Sequence, residues 1–368
     1  MGYKVRFVNP SMNYQMIKEE IDAAYYDVMF NGDLIDRTQL RRFEVNLAAF
    51  VGTKYAVGLN SGYDALHISL RGAGIGPGDE VIVPAHTFVA TASAVVNVGA
   101  KPVLVDVGKD FNIDPQKVEE AISPRTRGII PVHLSGYMAD MVRIMEIAEE
   151  HKLVVIEDAC QSLGSSMNRK KAGSWGMTGC WSFYPFKILG GYGDGGAITT
   201  NDPDVATFAR RMRYNGEDRE TGEYHGHGFT CLLDNLQATF LDVKLKYLPQ
   251  WIERRKQIAD HYRKALCDIP DLFLPHYDDV RRDHVYQNYT VRAKQGDEFS
   301  EYLKRNGVEV LTQFRKPYYR HEALKLRDRG FPETEALSRE VCSLPMNVEI
   351  SDEEIDYVIQ TARSFYGK

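Results

Sequence analysis

The chain has 368 residues, enough for one large domain and a smaller companion. Apolar residues make up 43% and charged residues 26%, a soluble globular balance, and the net charge of −6 argues against a general nucleic-acid binder while leaving room for a local basic pocket. Five scattered cysteines without C-x-x-C spacing read as reduced thiols of a cytoplasmic protein, the N-terminus lacks the long apolar run of a signal peptide, and no stretch of about 18 apolar residues is available for a membrane span.

In chain order, the pattern predicts helices over Tyr14–Phe30 and Arg37–Phe50. From Lys54 to about Thr200, short apolar runs alternate with helical periodicity. The runs are Tyr55–Leu59, Glu80–Pro84, Pro102–Val107, Gly128–His133 and Leu153–Glu157, with helices such as Asp64–Arg71 and Asp140–His151 between them. This alternation predicts a mostly parallel sheet covered on both faces. Asp114-Pro115 marks a helix start, an N-cap followed by proline at the first helical position. A long helix is predicted over about Leu233–Leu266, with its charged segment Arg254–Arg263 as an exposed connector. After Pro270 a strand (Tyr286–Arg292), a helix (Asp297–Asn306), a strand around Val308–Leu311 and a last helix (Ser351–Tyr366) suggest a smaller α/β domain. The expected division is 1–250 and 251–368.

Three stretches carry chemistry. Asn60-Ser61-Gly62-Tyr63-Asp64 follows a strand and opens a helix. Small residues there offer free N–H groups and the positive dipole end to a phosphate, or Ser61 simply caps the helix. Leu153 to Gln161 is an apolar run ending in Glu157-Asp158, which puts carboxylates at the edge where open α/β sheets hold ligands; one of the two acids reads equally as structural. In Ser182 to Gly196, Lys187 lies among Phe183, Tyr184, Phe186, Ile188 and Leu189. Desolvated there, its amine is a nucleophile; alternatively its stem covers apolar surface while the ammonium reaches water. Gly191 to Gly196 has G-x-G-x-x-G spacing, but a strand-like Ala197-Ile198-Thr199-Thr200 follows where a dinucleotide fold needs a helix. The glycines therefore read as tight turns beside the lysine. Together, a phosphate cradle, a strand-end acid and a lysine in apolar surroundings are the parts that pyridoxal phosphate requires: a Schiff-base amine, a partner that keeps the pyridine nitrogen protonated, and an anchor for the phosphate.

With these stretches, the chain resembles the DegT/StrS-type sugar aminotransferases, which are fold-type-I pyridoxal phosphate enzymes. The resemblance runs from about Asn9 to Phe365. It is sharpest in Asn60–Leu66, Gly74–Ile82, Thr87–Thr91, Pro131–Leu134, Glu157–Gln161, Ser182–Gly196 and Leu233–Ala238. It implies a large domain with a mostly parallel seven-stranded sheet flanked by helices, plus a smaller C-terminal α/β domain. It implies that Lys187 is the Schiff-base lysine and proton shuttle, that Asp158 partners the pyridinium nitrogen, that Gln161 lies near the 3-hydroxyl and that Phe88 stacks on the ring. Gly62, Tyr63 and Ser182 match phosphate positions. Thr230 aligns with a residue lent to the neighbouring subunit's phosphate in a homodimer with shared sites.

The implied reaction moves an amino group from an amino acid, L-glutamate by resemblance, to a 3- or 4-keto-deoxy sugar nucleotide, a step of amino sugar biosynthesis for polysaccharides or antibiotics. The alternatives are a cyclitol or other non-nucleotide ketone as acceptor, and a cofactor-binding regulatory homologue without turnover. Related dehydratases carry His at the lysine position, so Lys187 favours transamination. Departures from the family pattern are Tyr63 for a usual Thr, Thr230 for Asn, Leu232 for Arg, the Gln313–Tyr319 stretch, and Leu34-Ile35-Asp36-Arg37 near the N-terminus. Arg37, His227, Arg315 and Tyr318 are the substrate candidates; Arg315 reads equally as part of a solvated basic face. Tyr224-His225-Gly226-His227 lacks further ligands at zinc spacing, so no metal is expected. His133 reads as a hydrogen-bonded packing residue.

Overall fold

The computed structural model describes residues 2–275, 279–326 and 330–368. Three helices lead the chain: Pro10–Met16, Lys18–Asn31 and Thr38–Val51. The single helix expected over Tyr14–Phe30 is two. The chain breaks at Ile17 (φ −128°), whose buried side chain packs with Ile21, Phe240, Val243 and Trp251.

Seven strands form the main sheet: β1 (Tyr55–Leu59), β2 (Glu80–Pro84), β3 (Lys101–Val105), β4 (Thr126–Ile129), β5 (Val154–Asp158), β6 (Thr178–Ser182) and β7 (Gly196–Thr200). Their order is β1-β7-β6-β5-β4-β2-β3, and β7 alone runs antiparallel to its neighbours. Because side chains alternate across a strand, each strand feeds two cores. Ala56, Ile82, Ile129, Val155, Trp181 and Ala197 face helices Thr38–Val51, Met141–His151 and the start of Asn235–Leu266. Val57, Val81, Val83, Ile156, Cys180 and Ile198 face helices Gly62–Gly72, Val89–Asn97 and Pro203–Met212. Burial on both faces is why these strands read as continuous apolar runs. The Gly191–Gly196 run leads into β7 and not into a helix, as its sequel predicted.

Helix Asn235–Leu266 links two sets of packing. Leu241, Leu245 and Leu248 belong to the first core, and Ile258, Ala259, Tyr262 and Leu266 to a separate cluster with Val5, Tyr289, Phe299, Leu344 and Val358. The expected exposed connector Arg254–Arg263 is therefore half buried, with Arg255, Ile258, Ala259 and Tyr262 inside. The second cluster is built on a three-stranded antiparallel sheet (Leu272–Phe273, Tyr289–Ala293, Val341–Leu344) and on helices Gly296–Arg305 and Asp352–Phe365, the latter opened by a Ser351/Glu354 capping box. The expected strand at Val308–Leu311 is absent. Val308 bridges to Val5 and Leu311 to Ser343, so the segment is shared between two edges and extends neither. No helix among the described residues is long and apolar enough to cross a membrane.

Candidate active site

The C-terminal edge of β5 separates its two acids. Glu157, with no exposed surface, accepts N–H groups from Gly173 (2.8 Å), Trp175 (2.7 Å) and Gly176 (2.9 Å), and pairs with His133 Nε2 at 3.0 Å. It organises a turn and has no capacity left for a ligand. His133 also accepts the Ala139 N–H on Nδ1, at 3.2 Å, which makes it the hydrogen-bonded packing residue expected. Asp158 is 6% exposed and points to the other face. Its Oδ2 accepts from Thr91 Oγ1 at 2.8 Å, and Oδ1 accepts the Cys160 N–H at 3.3 Å.

Beside it, helix Gly62–Gly72 begins at the end of β1. Ser61 caps it, accepting the Asp64 N–H at 3.1 Å and donating to Asp64 Oδ2 at 2.6 Å. The N–H groups of Gly62 and Tyr63 lie ahead of the intrahelical ladder and point out of the first turn. A Cβ on Gly62 would stand 2.7 Å from Cys160 Sγ and 2.9 Å from Ser182 Cβ, so only glycine lets this helix end close onto the tip of β6. The Tyr63 side chain turns away along the helix, its hydroxyl accepting from Asn97 Nδ2, and leaves its backbone N–H at the helix end.

Lys187 lies in the loop between β6 and β7. Burial strips water from its ammonium and lowers its pKa below the ordinary lysine value, while Cys160 and Asp158 push the other way. Its position is set by a residue the sequence did not reveal. Gln287, 6% exposed, accepts the Ile188 N–H on Oε1 at 2.6 Å and donates from Nε2 to the Phe186 carbonyl at 2.9 Å, so one amide grips the peptide on each side of the lysine. Arg255 holds the backbone carbonyl of Gln287 in turn, at 3.2 Å. Gln287→Leu would leave both loop groups unsatisfied. It is expected to lower the unfolding free energy by about 2–4 kcal/mol, read as a lower denaturant midpoint. No local motif could have found this residue, because a lone glutamine about a hundred positions away carries no signal.

Phe88 caps helix Val89–Asn97 and leaves its ring 61% exposed, and Gln161 accepts the Ser135 N–H at 2.9 Å. The other candidates lie elsewhere. Arg37 is exposed, 3.7 Å from Asp33. His227 and Thr230 are on the exposed segment after helix Pro203–Met212, where the Thr230 hydroxyl donates to Asn215 at 3.0 Å. Arg315 is committed to the Gly296 carbonyl at 2.9 Å and to Asp297 at 3.1 Å. Tyr318 is 6% exposed, its hydroxyl donating to the Pro84 carbonyl at 2.9 Å, and so acts as a pillar against the end of β2. None of the four substrate candidates lines the cavity beside Lys187.

A sequence profile of the DegT/DnrJ/EryC1/StrS aminotransferase family matches residues 15–363. The chain is 39% identical to the pleiotropic regulatory protein of Geobacillus stearothermophilus, over 98% of each chain. It is 37% identical to the dTDP-3-amino-3,4,6-trideoxy-alpha-D-glucose transaminase of Streptomyces venezuelae, over 98% of this chain and 96% of the other. Its fold superposes on the crystal structure of S. venezuelae DesV in complex with a ketimine intermediate with a TM-score of 0.96, at 37% identity and over 100% of both chains.

Proposed function

The chain belongs to the DegT/DnrJ/EryC1/StrS aminotransferase family and is a pyridoxal-phosphate-dependent aminotransferase, and from that premise we propose that it carries an amino group from L-glutamate to a 3- or 4-keto-deoxy sugar nucleotide. The observation that carries the reading is the convergence of Lys187, Asp158 and the Gly62 helix end on one edge of the sheet. When bound, the cofactor supplies an electron sink. The residues fit it. Gly62 lets the helix end close onto the tip of β6 beside Ser182, the Gly62 and Tyr63 N–H groups and Ser182 suit the phosphate, and Thr91 orients the Asp158 carboxylate for a ring nitrogen. Phe88 and Gln161 are assigned to the ring face and its 3-hydroxyl. Lys187, its pKa lowered by burial, holds the cofactor and moves the proton at the substrate carbon.

Curated relatives act on dTDP- and UDP-linked sugars, which supports a nucleotide-linked acceptor. We assign the protein to the cytoplasm and to a homodimer in which Thr230 serves the neighbouring site. The exposed Tyr26 and Phe30 on helix Lys18–Asn31 support burial against a second copy. Arg37 and His227, both exposed, remain our candidates for the acceptor. The division at 250/251 has support in the helix Asn235–Leu266, whose Leu241, Leu245 and Leu248 belong to one cluster and whose residues from Ile258 belong to another, while Val285 joins the first cluster and Val5 the second.

The test is a two-stage assay. L-glutamate alone is expected to yield 2-oxoglutarate in amounts equal to the holoenzyme, and continued turnover should require a keto-sugar nucleotide. Turnover with a free cyclitol ketone, and none with sugar nucleotides, would overturn the acceptor. No 2-oxoglutarate at all would leave the regulatory alternative that the Geobacillus relative's name brings to mind.

A further inference from the structure

Beside the lysine loop lies a cavity of about 280 Å³, walled by Lys187 and Tyr192, by the N-terminal segment around Asn13, and by Lys244, Arg255 and Glu349. Lys244 is 5% exposed and Arg255 8%. Neither cation has an ion pair among the described residues. Lys244 Nζ donates to the Gly190 carbonyl at 2.8 Å and stands 3.8 Å from the Tyr192 ring centre. Arg255 gives one terminal nitrogen to the carbonyls of Tyr286 and Gln287, and its buried Nε has no partner. The carboxylate of Glu349 accepts from Asn13 Nδ2 at 2.7 Å and acts on both cations only at longer range.

Charges taken out of water and faced only with neutral carbonyls are costly, and proteins normally bury a cation against an anion. Here the unmet charge is visible in its consequences. Burial brings Lys244 down to about 8 and Arg255 down to about 10, and pushes Glu349 up. Two cations and one carboxylate leave a net charge of one, which matches a single carboxylate. A diphosphate would bring more negative charge than the site balances and set it against Glu349. At about 280 Å³ the cavity has room for a small acid.

We propose that this cavity seats the carboxylate of the amino donor, with Lys244 and Arg255 as the receiving cations. The assignment rests on the reading that the donor is an amino acid. It places the donor on the side of the lysine loop that faces the N-terminal segment and helix Asn235–Leu266, and it gives the two buried cations the anion their surroundings lack.

The experiment follows the first half-reaction of the holoenzyme in single turnover, with L-glutamate and no acceptor. Lys244→Gln keeps a donor for the Gly190 carbonyl and removes the charge. It is expected to raise the half-saturating glutamate concentration roughly 10–100-fold, the worth of one charge-assisted hydrogen bond, while the limiting rate stays within about twofold and, in a separate steady-state assay with the acceptor present, so does the KM of the sugar nucleotide. Glutarate, which has carboxylates but no amine, is expected to compete with glutamate and to weaken by a similar factor in the variant. Arg255→Lys, which keeps the charge, should fold as the wild type and shift glutamate less than Lys244→Gln does. If the wild type accepts no amino acid, the donor reading itself falls. If the wild type reacts but Lys244→Gln leaves glutamate and glutarate unchanged, or moves only the sugar nucleotide, the site assignment is overturned and the donor reading stands.

Discussion

Replacing Lys187 with alanine is expected to abolish turnover and to remove the adduct that borohydride fixes at this position. The loss should exceed the about 10²–10⁴-fold that one positioned proton-transfer group contributes, because the role we propose has the same amine hold the cofactor. Steady-state assay and mass analysis of the peptide carrying residue 187 check both outcomes, and full turnover in the variant would end the assignment. The pH dependence follows from the same environment. Burial lowers the pKa of Lys187. In the cofactor-free protein the neutral, reactive amine should therefore persist at pH values where an ordinary lysine is protonated. The rate of cofactor capture should fall only as pH drops through that lowered value, and not near pH ~10.4.

The second large effect is expected at Asp158. Asp158→Asn keeps the side chain's shape and its contact with Thr91 but removes the charge that we propose for the ring nitrogen. A preorganised electrostatic contact of this kind is worth about 10²–10³-fold in kcat. The variant should lose that factor while still taking up the cofactor and binding both substrates with little change in KM. Its neighbour provides the contrast. Glu157 receives three backbone N–H groups and pairs with His133, so Glu157→Gln should appear as lost stability, with kcat per folded molecule nearly intact. If the two variants exchanged behaviours, the division of labour between adjacent acids would be wrong.

Much of the large unit was legible because its signals are local. The β5 run with its terminal acids, the Asp114-Pro115 helix start and the Ser61 cap each lie within a few residues of what they control, and each takes the form expected. The lowered pKa of Lys187 agrees with the desolvation that its sequence neighbours suggested. The departures come from contacts between distant parts of the chain. The helix break at Ile17 is set by packing against Phe240 and Trp251. Nothing in Leu153–Gln161 says which acid turns inward, since that depends on the Gly173–Gly176 turn and on Thr91. The segment Val308–Leu311 has strand composition but is claimed by Val5 and Ser343 at its two ends. Tyr318 has the chemistry of a substrate contact, yet its hydroxyl is taken by Pro84. Helical periodicity placed Lys244 and Arg255 on a helix but could not show that both meet one cavity beside the lysine loop.

The Gln287 clamp also sets an order of assembly. During synthesis the ribosome releases the seven-stranded sheet and the loop bearing Lys187 well before position 287 emerges, and N-terminal units generally fold first. Until that glutamine and the strand following it dock, the peptides at Phe186 and Ile188 lack the grip that fixes them. Lys187 is thus translated near the middle of the chain but set in place only after about a hundred further residues have emerged, so a nascent product, or one terminated before position 287, carries the lysine without the latch that holds it.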